Sequence, residues 1–314
     1  MRFVFMGSPP FAVPVFDHLL ASRHDCVALV TRPDRPQGRG RAVQPSQLVE
    51  RARDQGIPTL QPETTASDEF LESITALDPD VLMVASYGEI LRTPMLELAP
   101  HGALNVHASL LPRWRGASPI QRAILAGDPV TGVSVQRIVL ALDKGDVLLA
   151  LETPIGPDET SGDLFARLAE LGGEAAVTAL DRLESGEAAF TPQDEAGVTH
   201  AKKLRKADGW IDWSKPAVEL ERLVRGMHPW PGARTHLPDQ RELRVLASRV
   251  SAESPGAIPG ALLAADGRLC VATGDGALEL VQVQPQGKKP MDAAAFQRGA
   301  HLQPGDIWGA PHAP

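Results

Sequence analysis

Phe3-Val4-Phe5-Met6-Gly7-Ser8-Pro9-Pro10-Phe11 starts as an unbroken apolar run, stops at a glycine and passes into a helical pattern. Val15, Phe16, Leu19 and Leu20 recur at helical spacing, so a helix is expected over 11–20. Four apolar residues with no polar alternation fit a strand covered on both faces. Residues 26–30, 80–85 and 102–106 are further, predominantly apolar strand signals. Helix-length segments at 47–53 and 69–77 lie between them. Strands alternating with helices predict βαβ units, and so an α/β, Rossmann-like open parallel sheet. A further helix is expected at 118–126, ended by Gly127-Asp128-Pro129. Two strand-like runs, 132–140 and 147–154, should pair across Asp143-Lys144-Gly145. A longer helix fills 161–183 with Ser161 as its N-cap.

From 184 to 206 periodicity fades, and 190–206 is expected to be a linker between an N-terminal domain (1–189) and a C-terminal one (207–314). Beyond it lies an amphipathic helix at 217–227, ended by His228-Pro229-Trp230-Pro231-Gly232. Short strand signals follow at 233–237, 243–250, 261–263, 269–272 and 278–283, with turns at Ala265-Asp266-Gly267 and Gly274-Asp275-Gly276. This pattern suits a small barrel or sandwich, and an OB-like β-barrel is the expected form.

Composition narrows the function classes. The chain has 314 residues, 43% hydrophobic and 22% charged, which excludes disorder and a disulfide scaffold. A single Tyr argues against an RRM-like stacking platform. Cys26 and Cys270 match no metal or redox spacing, so two reduced thiols and no metal are expected. The first apolar run is too short for a signal peptide, and no stretch approaches the ~18 apolar residues of a membrane span; a cytoplasmic protein is expected. No repeat or heptad seam suggests self-association, so a monomer is expected. Net charge is −8, divided as −11 over 1–200 and +3 over 201–314. That asymmetry fits either a solvated surface or a nucleic-acid-facing C-terminal part. Gly7-Ser8-Pro9-Pro10 lacks G-x-G-x-x-G spacing, and its prolines remove amides that a pyrophosphate would use.

The chemistry is concentrated in Gly102-Ala-Leu-Asn105-Val-His107-Ala-Ser109-Leu-Leu-Pro112-Arg113-Trp114-Arg115-Gly116. Asn105 and His107 are two apart at the end of an apolar strand, so both face one way. The carboxyl ends of strands line the ligand crevice of an open α/β sheet. Asp143, in a later turn, is placed to reach the same crevice. Amide and imidazole can donate to an oxyanion, and a carboxylate can orient the imidazole and sustain its charge. Spacing alone also allows a plain, satisfied strand end. No activated Ser or Cys accompanies the three, which points to direct transfer between bound substrates.

The run from Asn105 to Gln121 resembles the signature of the 10-formyltetrahydrofolate-dependent formyltransferases. Gly7-Ser8-Pro9, the basic loop from Thr31 to Arg41, Leu142-Asp143-Lys144-Gly145-Asp146, Ile211-Asp212-Trp213, Pro229-Trp230-Pro231 and Gly287-Lys288-Lys289-Pro290-Met291 extend the likeness along nearly the whole chain. Most of it is similar to the branch whose acceptor is initiator methionyl-tRNA. Two departures are small: Ser86 precedes Tyr87 where alanine or valine is usual, and Ala108 follows His107 where glycine or proline is common. The resemblance implies that 10-formyltetrahydrofolate is the co-substrate and that no metal takes part. It implies that Asn105 and His107 hold the oxyanion and that Asp143 keeps His107 charged. Ser109, Leu110, Leu111 and Pro112 would lie along the folate, with Tyr87 and Gly88 as pocket walls. By composition the basic loop is open to a solvated reading. The resemblance instead assigns Arg35, Arg39 and Arg41 to the acceptor end of tRNA, with Lys202, Lys203, Lys206, Lys288 and Lys289 as further phosphate contacts. A formyltransferase acting on a small amine, a formyltetrahydrofolate hydrolase and a non-catalytic RNA-binding protein are the competing readings.

Overall fold

A computed structural model describes residues 1–34, 36–37, 42–251, 256–265 and 267–309. The chain divides into two units. The first comprises Met1–Pro119, Val130–Pro154 and Phe165–Ala201; the second comprises Ile120–Pro129, Ile155–Leu164 and Lys202–Pro314.

From the N-terminus run β1 (Arg2–Gly7), α1 (Ala12–Leu20), β2 (Asp25–Val30), β3 (Pro36–Gln37), β4 (Ala42–Val43), α2 (Gln47–Asp54), β5 (Thr59–Leu60) and α3 (Asp68–Thr75). They are followed by β6 (Val81–Ala85), α4 (Thr93–Leu96), β7 (Ala103–His107), β8 (Arg115–Gly116), α5 (Pro119–Ala126), β9 (Val130–Arg137), β10 (Val147–Pro154), α6 (Ser161–Ser185) and β11 (His200–Ala201). Seven strands form one sheet in the order β10-β9-β7-β6-β1-β2-β5. The five from β7 to β5 pair in parallel, while β9 and β10 add an antiparallel edge. This is the Rossmann-like α/β architecture expected, with its antiparallel pair joined across the Asp143 turn. The second strand of that expectation is β10 as read, but β9 stops at Arg137, so residues 138–140 belong to the turn.

The pleat of β1 explains why its whole run is apolar. Phe3 and Phe5 are fully buried, and Phe5 stacks on Phe16 of α1 at 4.8 Å. Val4 and Met6 alternate with them and join Phe70 and Ile74 of α3, with Met95 of α4, in a separate cluster. Each such side chain contributes roughly 1.5–3 kcal/mol through burial. Ser46 and Ser67 cap α2 and α3 by accepting the Val49 and Phe70 amides. At α6 the cap differs from the expectation. Thr160 and Asp163 bond each other's amides reciprocally, whereas Ser161 donates its hydroxyl to the His228 carbonyl.

The second unit holds α7 (Ala217–Gly226), β12 (Ala233–His236), β13 (Glu242–Ser251), β14 (Leu269–Ala272), β15 (Ala277–Pro285), β16 (Met291–Asp292) and α8 (Ala293–Gly299). All its named strands pair antiparallel. One edge of β15 carries β13; β14 and β16 share the other. Register shifts between Val245 and Ser248 bend β13, and such irregularities curl a sheet. The small OB-like sheet closes over Ile211, Trp213, Leu220, Val224 and Trp308, and Trp213 donates its indole N–H to Thr235. Residues 261–263 do not form a strand; Ala261 and Leu262 make only isolated bridges. Helix α8, capped by Asp292, was not anticipated. Among the described residues no helix is long and apolar enough to cross a membrane.

Candidate active site

The first sheet builds strands outward from β1 in one direction through β2 and β5, then in the other through β6 and β7. That reversal makes the carboxyl ends of β1, β6 and β7 the crevice where ligands bind in open α/β sheets. Asn105 and His107 stand at the end of β7. Opposite them in the antiparallel ladder lie Gln136 and Ser134 of β9. Directly paired residues share a face, so all four side chains project to one side.

Asp143 joins them from the β9–β10 turn. One carboxylate oxygen, Oδ2, accepts the Gly116 amide at 2.8 Å and lies 3.8 Å from His107 Nδ1. The other, Oδ1, accepts Gln136 Nε2 at 3.1 Å. His107 Nε2 is 3.0 Å from the Trp114 carbonyl. A carbonyl only accepts, so Nε2 carries a hydrogen. The other ring nitrogen, Nδ1, is the one turned toward Asp143. Trp114 itself adopts φ 62° and Asp143 φ 50°. Left-handed backbone costs a non-glycine residue about 1–2 kcal/mol, and here it sits at the two residues that face His107. Asn105 is half-buried, whereas His107 and Asp143 are nearly enclosed.

Ser109, Leu110, Leu111 and Pro112 leave directly from this strand end. Ser134 pins them: its hydroxyl donates to the Ser109 carbonyl at 2.8 Å and accepts the Leu111 amide at 3.0 Å. The Ser109 hydroxyl donates to the Arg113 carbonyl at 2.6 Å. Leu110, Leu111 and Pro112 remain partly open. Tyr87 and Gly88 follow β6 at the point of reversal. The Tyr87 ring belongs to the apolar cluster beneath the sheet, and its buried hydroxyl has no partner. Burial pushes that phenol up to about 12, aided by the Glu89 charge. Arg32, at the start of the basic loop, donates to the Tyr87 and Gly88 carbonyls. Arg35, Arg39 and Arg41 lie outside the described residues. In the second unit, Lys202, Lys203, Lys206, Lys288 and Lys289 are all exposed.

Residues 190–201, within the segment expected as a linker, carry contacts that sequence reading missed. Thr191 bridges to Val147, and β11 pairs with β8. Gln193 reaches Gln136 and the carbonyls of Asp143 and Gly145. Buried Arg115 donates to Gln193 and Glu195, and its hydrogen bond holds the Glu195 carboxyl below its ordinary value. Among the described residues no group of three metal-ligating side chains occurs.

Residues 1–180 match the sequence profile of the formyl transferase family, and 203–301 match that of its C-terminal domain. The chain belongs to the formyl transferase family. It is 45% identical over 316 residues to the methionyl-tRNA formyltransferase of Symbiobacterium thermophilum, covering all of this chain and 97% of that one. Among solved formyltransferases, the sugar 3N-formyl transferase WlaRD has the same fold at a TM-score of 0.68 and 15% identity, over 92% of this chain and 99% of that one. Glycinamide ribonucleotide transformylase 1 from Symbiobacterium toebii aligns at a TM-score of 0.51 and 21% identity, spanning 94% of itself but 62% of this chain.

Proposed function

We propose that this chain transfers the formyl group of 10-formyltetrahydrofolate to the α-amino group of initiator methionyl-tRNA, giving N-formylmethionyl-tRNA for translation initiation. The observation that carries this reading is the full-length relationship to a methionyl-tRNA formyltransferase, C-terminal domain included. The family supplies formyltetrahydrofolate as donor, and the mechanism needs no metal. In domain terms, 1–189 would be the catalytic part, 190–206 the connection and 207–314 the tRNA-binding part. The protein would work in the cytoplasm as a monomer.

The α-amine attacks the formyl carbon and a carbon–nitrogen bond forms. Asn105 and His107 hold the resulting oxyanion. His107 Nε2–H exchanges the Trp114 carbonyl for the developing oxyanion, since a charge-assisted hydrogen bond is the stronger of the two. Asp143 steadies the imidazolium. The tetrahedral intermediate collapses by breaking the bond to N10, which gains a proton as the former amine loses one. Ser109, Leu110, Leu111 and Pro112, with Tyr87 and Gly88, would bound the folate. Arg35, Arg39, Arg41, Lys202, Lys203, Lys206, Lys288 and Lys289 would contact tRNA.

Acceptor choice tests the reading. Supplied together with methionyl-tRNA, glycinamide ribonucleotide and an aminosugar nucleotide, the enzyme should place labelled formyl on the tRNA. Preferential labelling of either small amine would overturn the assignment. Arg39, flanked by Gly38 and Gly40, tests the loop. Arg39→Ala should weaken use of methionyl-tRNA and leave folate binding unchanged. If the guanidinium reads a base edge, discrimination between initiator and elongator tRNA falls by roughly 1–3 kcal/mol. If it meets only phosphate, both tRNAs weaken alike and the salt slope drops by about one. Specificity constants for both tRNAs at several salt concentrations decide; wild-type values throughout would return Arg39 to a solvated loop.

A further inference from the structure

We propose that Gln193 and Gln136 form a directional hydrogen-bond relay from Arg115 that fixes the rotamer of Asp143, making Gln193 a positioning residue for the transfer. The proposal rests on the role given to Asp143 above. Gln193 Oε1 accepts from Arg115 Nε at 3.0 Å and Nη2 at 2.8 Å. A guanidinium has donors only, so the oxygen of Gln193 must face it. Its amide nitrogen therefore points the other way, toward Gln136 Oε1 at 3.1 Å and the carbonyls of Asp143 at 2.9 Å and Gly145 at 2.7 Å. Two hydrogens are shared among three acceptors. With its oxygen so engaged, Gln136 presents Nε2 to Asp143 Oδ1 at 3.1 Å.

Each amide has one orientation that satisfies its neighbours. The guanidinium at one end cannot accept and the carboxylate at the other cannot donate, so the chain cannot reverse. Arg115 is held in place because it is buried, with 5% of its surface exposed, and braced by Glu195. The Gln193 side-chain amide also ties both sides of the turn, donating to the backbone carbonyls of residues 143 and 145. Together with the Gly116 amide on Oδ2, the relay leaves Asp143 one arrangement, in which Oδ2 faces His107. Chains of hydrogen bonds in a low-dielectric interior reinforce one another, so loss of the first link is felt at the last.

The test is a double-mutant cycle on the full-length enzyme. Gln193→Met keeps the volume and removes every hydrogen bond of the amide. It should lower kcat about tenfold or more, with KM for 10-formyltetrahydrofolate and for methionyl-tRNA within about twofold. In an Asp143→Asn background the same change should produce no further loss of kcat, because the link through Gln136 and the hold on the turn both act by placing that carboxylate. Gln136→Met, one link nearer, should behave alike and serves if Gln193→Met fails to fold. Equal losses in both backgrounds, or unchanged kcat in the wild-type background, would overturn the relay while leaving the role of Asp143 intact. Wild-type kcat in Asp143→Asn alone would overturn the role of Asp143 and the relay with it.

Discussion

Replacing His107 with alanine should lower kcat about a hundredfold or more while KM for 10-formyltetrahydrofolate changes by no more than about twofold. The imidazole lies at the end of β7 with Asp143 on one nitrogen and the Trp114 carbonyl on the other. Its hydrogen bond is needed most once negative charge has developed on the formyl oxygen. On the function proposed above, ground-state binding would draw instead on the partly open Leu110, Leu111 and Pro112, which His107→Ala leaves in place. Asn105→Ala, which would remove the second donor proposed for the oxyanion, should show the same split. Asp143→Ala should follow, because it strips His107 of its anion and leaves Gln136 and Gly116 without an acceptor. Steady-state kinetics with each substrate varied in turn will check this. Near wild-type kcat for any of the three would remove that residue from the mechanism.

The second large effect is expected at Gly145. A Cβ there would overlap the carbonyl oxygen of Arg137, a backbone atom that cannot swing aside. The turn that carries Asp143 would have to open, breaking the contact of Gln193 with the Gly145 carbonyl. Gly145→Ala should therefore cost about 3 kcal/mol, the upper end of overpacking penalties, and depress kcat as well. Gly299 is the control, since a Cβ at that helical position would meet open space. Gly299→Ala should be neutral or mildly stabilising, by at most about 1 kcal/mol. Urea denaturation of the two variants gives the comparison. Equal midpoints would mean that the Asp143 turn is looser than its packing implies.

The parts of this site that could be read in advance are those set by local pattern. Unbroken apolar runs mark β1 and β6 as interior strands, and in β7 period-two geometry puts Asn105 and His107 on one face. Asp143 is legible because a polar turn must join two strand-like runs. Gln136 is not, because its alignment with Asn105 depends on the antiparallel register of β9 on β7. Gln193 lies in a stretch rich in Glu, Gly and Pro without hydrophobic period. Its meaning comes from carbonyls 48 and 50 residues away. The cap of α6 went to Thr160 because Asp163, three residues on, can return the hydrogen bond. Helix α8 escaped because Ala293-Ala294-Ala295 carries little amphipathic signal. Tyr87 follows β6 as the apolar run implies, and its ring packs into the apolar core.

A single-turnover experiment with labelled formyl tests whether transfer within this crevice is direct. Enzyme in excess is mixed with 10-formyltetrahydrofolate labelled in the formyl group, first alone and then with methionyl-tRNA, and quenched at intervals. Label should stay on the folate until tRNA is added, then pass to the methionine amine as tetrahydrofolate appears in equal amount, with none bound to protein. A formyl-protein species that forms and decays at the rate of turnover, or label released as formate in place of labelled tRNA, would contradict the account.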